Sequence, residues 1–370
     1  MPRTSGHGLA PSARRPRSEP SLGREENYPS ERRQLVRVLR YGGDRFVSKR
    51  LNRDISMPPT ISIVIPTRNR ATHLAECLEA VRVAAADRDV QVLVMDQSDT
   101  EDSLKVVEAL QDGRFQYHRM PRPGACPARN FGAAIAQAPL VAFLDDDCCP
   151  QPTWIERILT AFERDSTLQF IFGQLKAPPG AENQNGSYPE FLPSTDWQRQ
   201  RGRRRVAMVS AGANMIARKE FLCRIGGFDE LLGPNRPAVK SNDSSLSYKV
   251  FASGAKWIAD PDIEVIHTNG FRSHSDALRL FVEYDHGLGV NWGRFVRRGD
   301  LRAAGYFALE HGEMTWKLLA QIVRLERPRG IRHWAAHLKG FYDGLRLPGD
   351  VGHVDGSKLR RMGETGKLDA

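Results

Sequence analysis

The sequence predicts an α/β protein: a mostly parallel central sheet flanked by helices, with a helical C-terminal extension. Three observations predict it. Between residues 60 and 146, short β-branched runs alternate with helix-length amphipathic segments, the pattern of βαβ units. The ends of those runs collect polar and acidic residues, as ligand-binding strand ends do. From Ser275 onward only helical periodicity remains.

The elements follow in order. ISIVIP (61–66) is apolar and β-branched, as in a strand covered on both faces. Ala71, Leu74, Leu78 and Val81 then share one helical face. VQVLVMD (90–96) reads as a second strand, and EDSLKVVEALQ as a helix with acids in its first turn, where the dipole favours them. FQYHRM (115–120) is a shorter strand, PARNFGAAIAQA (127–138) a helix with Pro at its start, and LVAFLDD (140–146) the fourth strand. Beyond residue 150 come a helix in TWIERILTAFER, a strand near FIFG (170–173), a polar loop over 176–205 and a strand within 206–217. A helix from Arg218, another in NDSSLSYKVFASG and an extended AKWIADPDIEVIH complete this part.

Composition bounds the function. The chain has 370 residues and a net charge of +10. Residues 1–57 carry 13 Lys and Arg against 6 Asp and Glu, and residues 294–346 carry 11 against 5, whereas residues 58–293 carry 26 against 29. Basic flanks suit an anionic surface such as membrane lipid or lipid-linked phosphate. The acidic middle, without zinc fingers or an aromatic RNA platform, argues against nucleic acid. No apolar run reaches the ~18–20 residues of a membrane span, and the N-terminus has no hydrophobic signal core. Five cysteines without a C-x-x-C pair suit a reducing cytoplasm. The Arg-, Ser- and Pro-rich residues 1–57 read as disordered apart from a short basic helix over 31–40.

The strand ends hold the candidate site. The first ends in Pro66, Thr67, Arg68 and Asn69, the second in Asp96 followed by Asp99, and the fourth in Asp145, Asp146 and Asp147. Three adjacent carboxylates repel one another and lose hydration if covered, so a positive partner is expected. If the strand runs through them, alternation puts Asp145 and Asp147 on one side and Asp146 on the other. Two hard oxygen donors suit Mg²⁺ or Mn²⁺ bridging to substrate phosphates. Asp96 is suited to accept a base N–H from uracil or guanine. Arg129, at a helix start, is suited to a phosphate or base.

SIVIPTRNR, MDQSD, GACPARNFGA, FLDDDCCP, AGANMIARKEFLCRIGGFDE and SNDSSLSYKVFASG occur in an order and at a spacing that resemble family 2 glycosyltransferases, inverting enzymes of the GT-A fold. The resemblance covers roughly residues 60–270 and implies a GT-A Rossmann-like domain over 58–270; beyond it the sequence itself predicts a C-terminal amphipathic helical region over 271–346 and a flexible tail over 347–370. It implies a nucleotide-diphosphate sugar donor, with UDP favoured, bound by Pro66, Thr67, Asn69, Asp96, Arg129, Asp145 and Asp146. Asp147 would hold the metal, and His267 in EVIHTNG would add a ligand. Asp243 would be the catalytic base. Asn242, standing where the family usually has Glu, and Asp229 in GGFDE would face the acceptor.

The expected reaction moves a sugar to an acceptor hydroxyl with inversion, in cell-surface polysaccharide or glycolipid synthesis. A metal-dependent sugar nucleotidyltransferase is the first alternative, disfavoured because no Gly-rich loop follows the first strand. An inactive sugar-nucleotide binder is the second, kept open by Asn242. Ile331, Trp334, Ala335, Leu338, Tyr342 and Leu345 share a helical face that suits either packing on the protein or an anionic membrane. The latter would place a cytoplasmic enzyme peripherally on the inner face of the cell membrane, with a glycan or lipid-linked acceptor.

Overall fold

The computed structural model describes residues 58–121, 123–193, 212–233, 241–328 and 330–347. The expected disordered segment 1–57, the Arg199–Arg205 stretch and the tail beyond 347 lie outside these residues.

The chain opens with β1 (Ile61–Thr67), α1 (Ala71–Ala85), β2 (Val90–Asp96), α2 (Asp102–Ala109), β3 (Phe115–Arg119), α3 (Ala125–Ile135) and β4 (Leu140–Leu144). These strands pair in parallel in the order β3-β2-β1-β4. β1, β2 and β4 are buried almost throughout because helices cover both faces of a parallel sheet. Leu74, Cys77, Leu78 and Val81 of α1 point into that core.

The second half is less regular. It comprises β5 (Cys148–Pro150), α4 (Trp154–Arg164), β6 (Leu168–Lys176), a 3₁₀ turn (Ala181–Asn183), β7 (Gly186–Ser187), β8 (Asn214–Arg218), α5 (Lys219–Arg224), α6 (Asn242–Ala252), β9 (Lys256–His267) and β10 (Arg272–Ser273). The sheet continues past β4 as β8-β6-β9-β5. β8 runs antiparallel to β4 and β6, β9 is parallel to β6, and β5 is antiparallel to β9. Antiparallel neighbours need no crossover helix; α4 joins β5 to β6, and α5 and α6 lie between β8 and β9. The whole is an α/β fold with an eight-stranded, mostly parallel sheet. Buried Asn214 pins this half: its Nδ2 donates to the Gln174 and Ile263 carbonyls at 2.8 Å, and its Oδ1 accepts from Trp154 Nε1 at 3.0 Å.

Three helices follow, α7 (His274–Arg297), α8 (Leu301–Val323) and α9 (Ile331–Arg346). Tyr248 of α6 clusters with Trp292, Phe295 and Ala303, fastening them to the sheet domain. α7 and α9 run parallel and touch directly, and α8 connects them along the chain. Their contact is made by glycines: a Cβ at Gly289 or Gly293 would lie 2.1 Å from a backbone oxygen of α9, and one at Gly340 or Gly344 within 2.3 Å of a backbone oxygen of α7. The apolar stripe packs only in part: Trp334 donates to Thr315 of α8 at 2.8 Å, and Leu338 and Leu345 are half-buried. His337, Gly340 and Gly344 are buried, whereas Ile331 and Tyr342 remain more than half exposed. Backbone approach at glycine outcompetes side-chain burial here, and hydrophobic spacing does not reveal it.

Gly340→Ala is expected to destabilise the protein by about 1–3 kcal/mol, as overpacking does. Gly312→Ala, on α8 with nothing within 4 Å of the added carbon, should stabilise by about 0.5–1 kcal/mol through helix propensity. Thermal unfolding of both variants checks this; equal melting temperatures would refute the glycine contact.

Candidate active site

The acidic run does not continue the strand. β4 stops at Leu144, and Asp145 to Asp147 form a turn leading into β5. The alternation expected from a longer strand is thus corrected: Asp146 and Asp147 share a partner and Asp145 has another. Arg70 Nη1 lies 3.2 Å from Asp146 Oδ1 and 2.9 Å from Asp147 Oδ2. Thr67 Oγ1, at the end of β1, donates to Asp146 Oδ2 at 2.7 Å. Burial raises Asp146 to about 6 despite the Thr67 bond. Asp147 is also buried, but its hydrogen bond and charge interaction with His267, together with Arg70, outweigh burial and hold it down at about 2.

Arg129, buried in α3, answers the third carboxylate. Its Nη2 donates to Asp145 Oδ1 at 2.5 Å, its Nη1 lies 3.6 Å from Asp243 Oδ1, and its guanidinium sits 5.3 Å from the Phe228 ring centroid. Burial works against its charge, but the two carboxylates outweigh this and raise its pKa. One cation thus joins the acidic turn to the first turn of α6. Asp243 does not cap that helix; the N-cap is Ser241, without a side-chain cap bond. Burial raises the Asp243 pKa above the ordinary carboxylate value, with Arg129 opposing. Gly212 passes so close that a Cβ there would meet the Asp243 carboxylate at 2.3–2.4 Å. Asn242 Nδ2 donates to Asp243 Oδ1 at 2.5 Å.

His267, at the end of β9, places Nε2 3.5 Å from Asp147 Oδ1. Asp147, Cys148 and His267 each offer a ligand atom, all within 4.8 Å of one another. A buried, ionised carboxylate beside an imidazole is a fitting donor pair for a divalent cation.

The remaining predicted residues fall into two groups. Asp96 pairs with Thr67 across the β1–β2 ladder, but its carboxylate is fully buried. It accepts from the Ser98 backbone N–H at 3.0 Å, the Ser98 hydroxyl, Tyr117 Oη at 2.7 Å and Arg119 Nη1 at 3.1 Å. Asn69, with φ 55°, exchanges hydrogen bonds with Asp99 at 2.7 and 2.8 Å, and Pro66 precedes Thr67 in β1. Asp229 is placed apart from this group. It is 1 % exposed, and its Oδ2 accepts from both Nε and Nη2 of Arg294 on α7 at 3.0 Å.

Sequence reasoning missed Arg70, Asn130 and Tyr284. Arg70 could have been found as the cation following the Pro66–Asn69 run. Asn130 exchanges hydrogen bonds with the Phe228 backbone at 2.9 Å in both directions, which no spacing signals. Tyr284 on α7 has its phenol pKa raised by burial and by the nearby charge of Asp243.

Residues 62–226 match the family described as Glycosyl transferase family 2. The chain is 34% identical over 119 residues to a validoxylamine A glucosyltransferase of Streptomyces hygroscopicus subsp. jinggangensis, covering 31% of this chain and 28% of that protein. It is 27% identical over 213 residues to a pre-mycofactocin glycosyltransferase of Mycobacterium tuberculosis, covering 56% and 42%. The matches thus span less than half the length of these curated relatives. A solved mannosyltransferase from Pyrobaculum calidifontis, in complex with GDP-Man and Mn²⁺, is similar at a TM-score of 0.49 and 15% identity, covering 79% of this chain and 88% of that one. The matched stretch, residues 62–226, carries Thr67, Asp96, Arg129 and the three aspartates of the turn, and is similar to glycosyl transferase family 2.

Proposed function

We propose that the chain transfers a sugar from a nucleotide-diphosphate sugar to an acceptor hydroxyl with inversion, within a catalytic unit spanning 58–270. The observation that carries this is the buried Arg129 between Asp145 and Asp243, which sets a carboxylate of raised pKa beside the acidic turn. In the reaction, the bond from the anomeric carbon to the diphosphate breaks, a bond to the acceptor oxygen forms on the opposite side, and the acceptor's proton passes to Asp243. A raised carboxylate pKa makes that transfer more effective. Thr67, Asn69 and Pro66 line the nucleoside side. Asp96 takes a base N–H, as uracil of a UDP donor offers, by exchange with the half-exposed Arg119. Asp145 and Asp146 face the nucleotide sugar, and Asn242 orients Asp243 for the acceptor. Mg²⁺ or Mn²⁺ held by Asp147 and His267 would offset charge on the leaving diphosphate. Asp229 serves the acceptor side through its ion pair, holding the 226–233 turn in place.

The acceptor reading, a glycan or lipid-linked sugar in polysaccharide or glycolipid synthesis, draws support from the outer surface of α8. Trp316, Leu319, Ile322 and Val323 of α8 and Leu325 just past it are 50–96 % exposed, and exposed Lys317, Arg324, Arg327 and Arg332 stand near them in the sequence, with Glu326 as an acid in the same stretch. Apolar tips among basic residues suit an anionic bilayer surface. Among the described residues no helix is long and apolar enough to cross a membrane.

Asp243→Asn should lower the transfer rate by about 10²–10⁴-fold, the usual size of general-base catalysis, while sugar-nucleotide affinity stays within a few-fold. Calorimetry beside a transfer assay measures both, and parallel loss of the two would make Asp243 structural. Asp147→Ala should abolish the metal-dependent part of nucleoside-diphosphate binding; unchanged affinity with Mn²⁺ present would remove Asp147 as a ligand. The protein should sediment with phosphatidylglycerol vesicles but not phosphatidylcholine vesicles, and Trp316→Ser with Leu325→Ser should weaken this severalfold. Equal sedimentation of the double variant would count against the α8 surface.

A further inference from the structure

We infer that Cys148 is a third protein ligand of the cation site, and that its sulfur gives the site a preference for thiophilic divalent ions, zinc and cobalt, over magnesium. This rests on the reading that Asp147 and His267 hold a cation. It goes further by adding a sulfur donor and naming the ion class it selects.

The backbone builds the donor set. Cys148 and His267 are register partners on the antiparallel β5–β9 ladder, so their side chains emerge on the same face of the sheet. Asp147 precedes β5 and turns Oδ1 toward both: His267 Nε2 lies 3.5 Å from it and Cys148 Sγ 3.7 Å. A tetrahedral ion with bonds of ~2.0–2.1 Å to O and N and ~2.3 Å to S spaces its donors roughly 3.3–3.6 Å apart. Both measured edges are therefore within a few tenths of an ångström of a bound geometry, before any ion draws the groups together. All three residues are buried.

The histidine is oriented for this role. Its Nδ1 lies 3.3 Å from the Pro189 carbonyl oxygen. A carbonyl can only accept, so Nδ1 carries a hydrogen, and a cation that displaces the proton between Nε2 and Asp147 meets the Nε2 lone pair. Metal-binding histidines are held in this way by an outer acceptor. Gly270 leaves the ring its space, since a Cβ there would come within 2.3 Å of the imidazole. Arg70 engages the other oxygen of Asp147, Oδ2, so Oδ1 is the atom available to the cation.

The ion class follows from the donors. Magnesium takes oxygen ligands in octahedral geometry, whereas an O, N and S set suits zinc or cobalt. Three protein ligands leave a fourth position for water or a diphosphate oxygen. Binding converts the thiol to a thiolate and releases its proton to solvent.

Titrating the reduced, metal-free full chain with Co²⁺ tests this. The expected spectrum contains a near-ultraviolet sulfur-to-cobalt charge-transfer band. Cys148→Ser should remove that band and weaken Zn²⁺ binding at least about tenfold, with a smaller change for Mn²⁺. Cys148→Ala, with a melting curve for each variant, guards against a folding defect. Co²⁺ binding without the band in the unsubstituted protein, or the band surviving in Cys148→Ser, would overturn the sulfur ligand while leaving the Asp147–His267 reading in place. Absence of Co²⁺ and Mn²⁺ binding, with and without a nucleoside diphosphate, would overturn both.

Discussion

The candidate site depends on a buried guanidinium held between two carboxylates. Arg129 is 3 % exposed and lies on α3, yet it reaches Asp145 from the turn after β4 and Asp243 from the start of α6. Removing such a cation would leave two acids with no compensating charge in a partly dry environment, a cost of several kcal/mol. Gly212 passes closely over Asp243, and Phe228 lies against the Arg129 guanidinium. Neutralisation also explains how three consecutive aspartates persist: Arg129 answers one and Arg70 the other two.

The two arginines differ in character. Arg129 is locked, whereas the Arg70 side chain is 47 % exposed and so pays little to move. On the proposed reading, an arriving diphosphate would compete for Arg70 and a cation for Asp147.

Much of this was legible in the sequence. The β1–β4 half was readable because each strand is covered on both faces, and such burial leaves continuous β-branched runs, while α1 and α4 show clean helical faces. The end of β4 was harder to place. Leu144 and Asp145 are both compatible with an extended backbone, and only the bend that delivers Asp146 and Asp147 to one arginine separates them. β5 is three residues long and exists because β9 offers it an edge, a tertiary cause that no local pattern carries. The α7–α9 contact was invisible for a related reason: hydrophobic periodicity registers large side chains, and that interface is made by their absence. Asp229 looked like a cleft residue from its neighbours in GGFDE, but its partner Arg294 lies 65 positions away.

That ion pair has a further consequence. Asp229 and Arg294 are each 1 % exposed, and Asn291 of α7 also donates to the Ser241 carbonyl and hydroxyl at 2.9 and 2.8 Å. The C-terminal helices are thus wired into the segment that presents Asp243, and are not an appendage that can be exchanged freely. A chimaera that borrows these helices from a relative must import the matching turn over 226–233 as well, or a lone charge will be stranded at the seam.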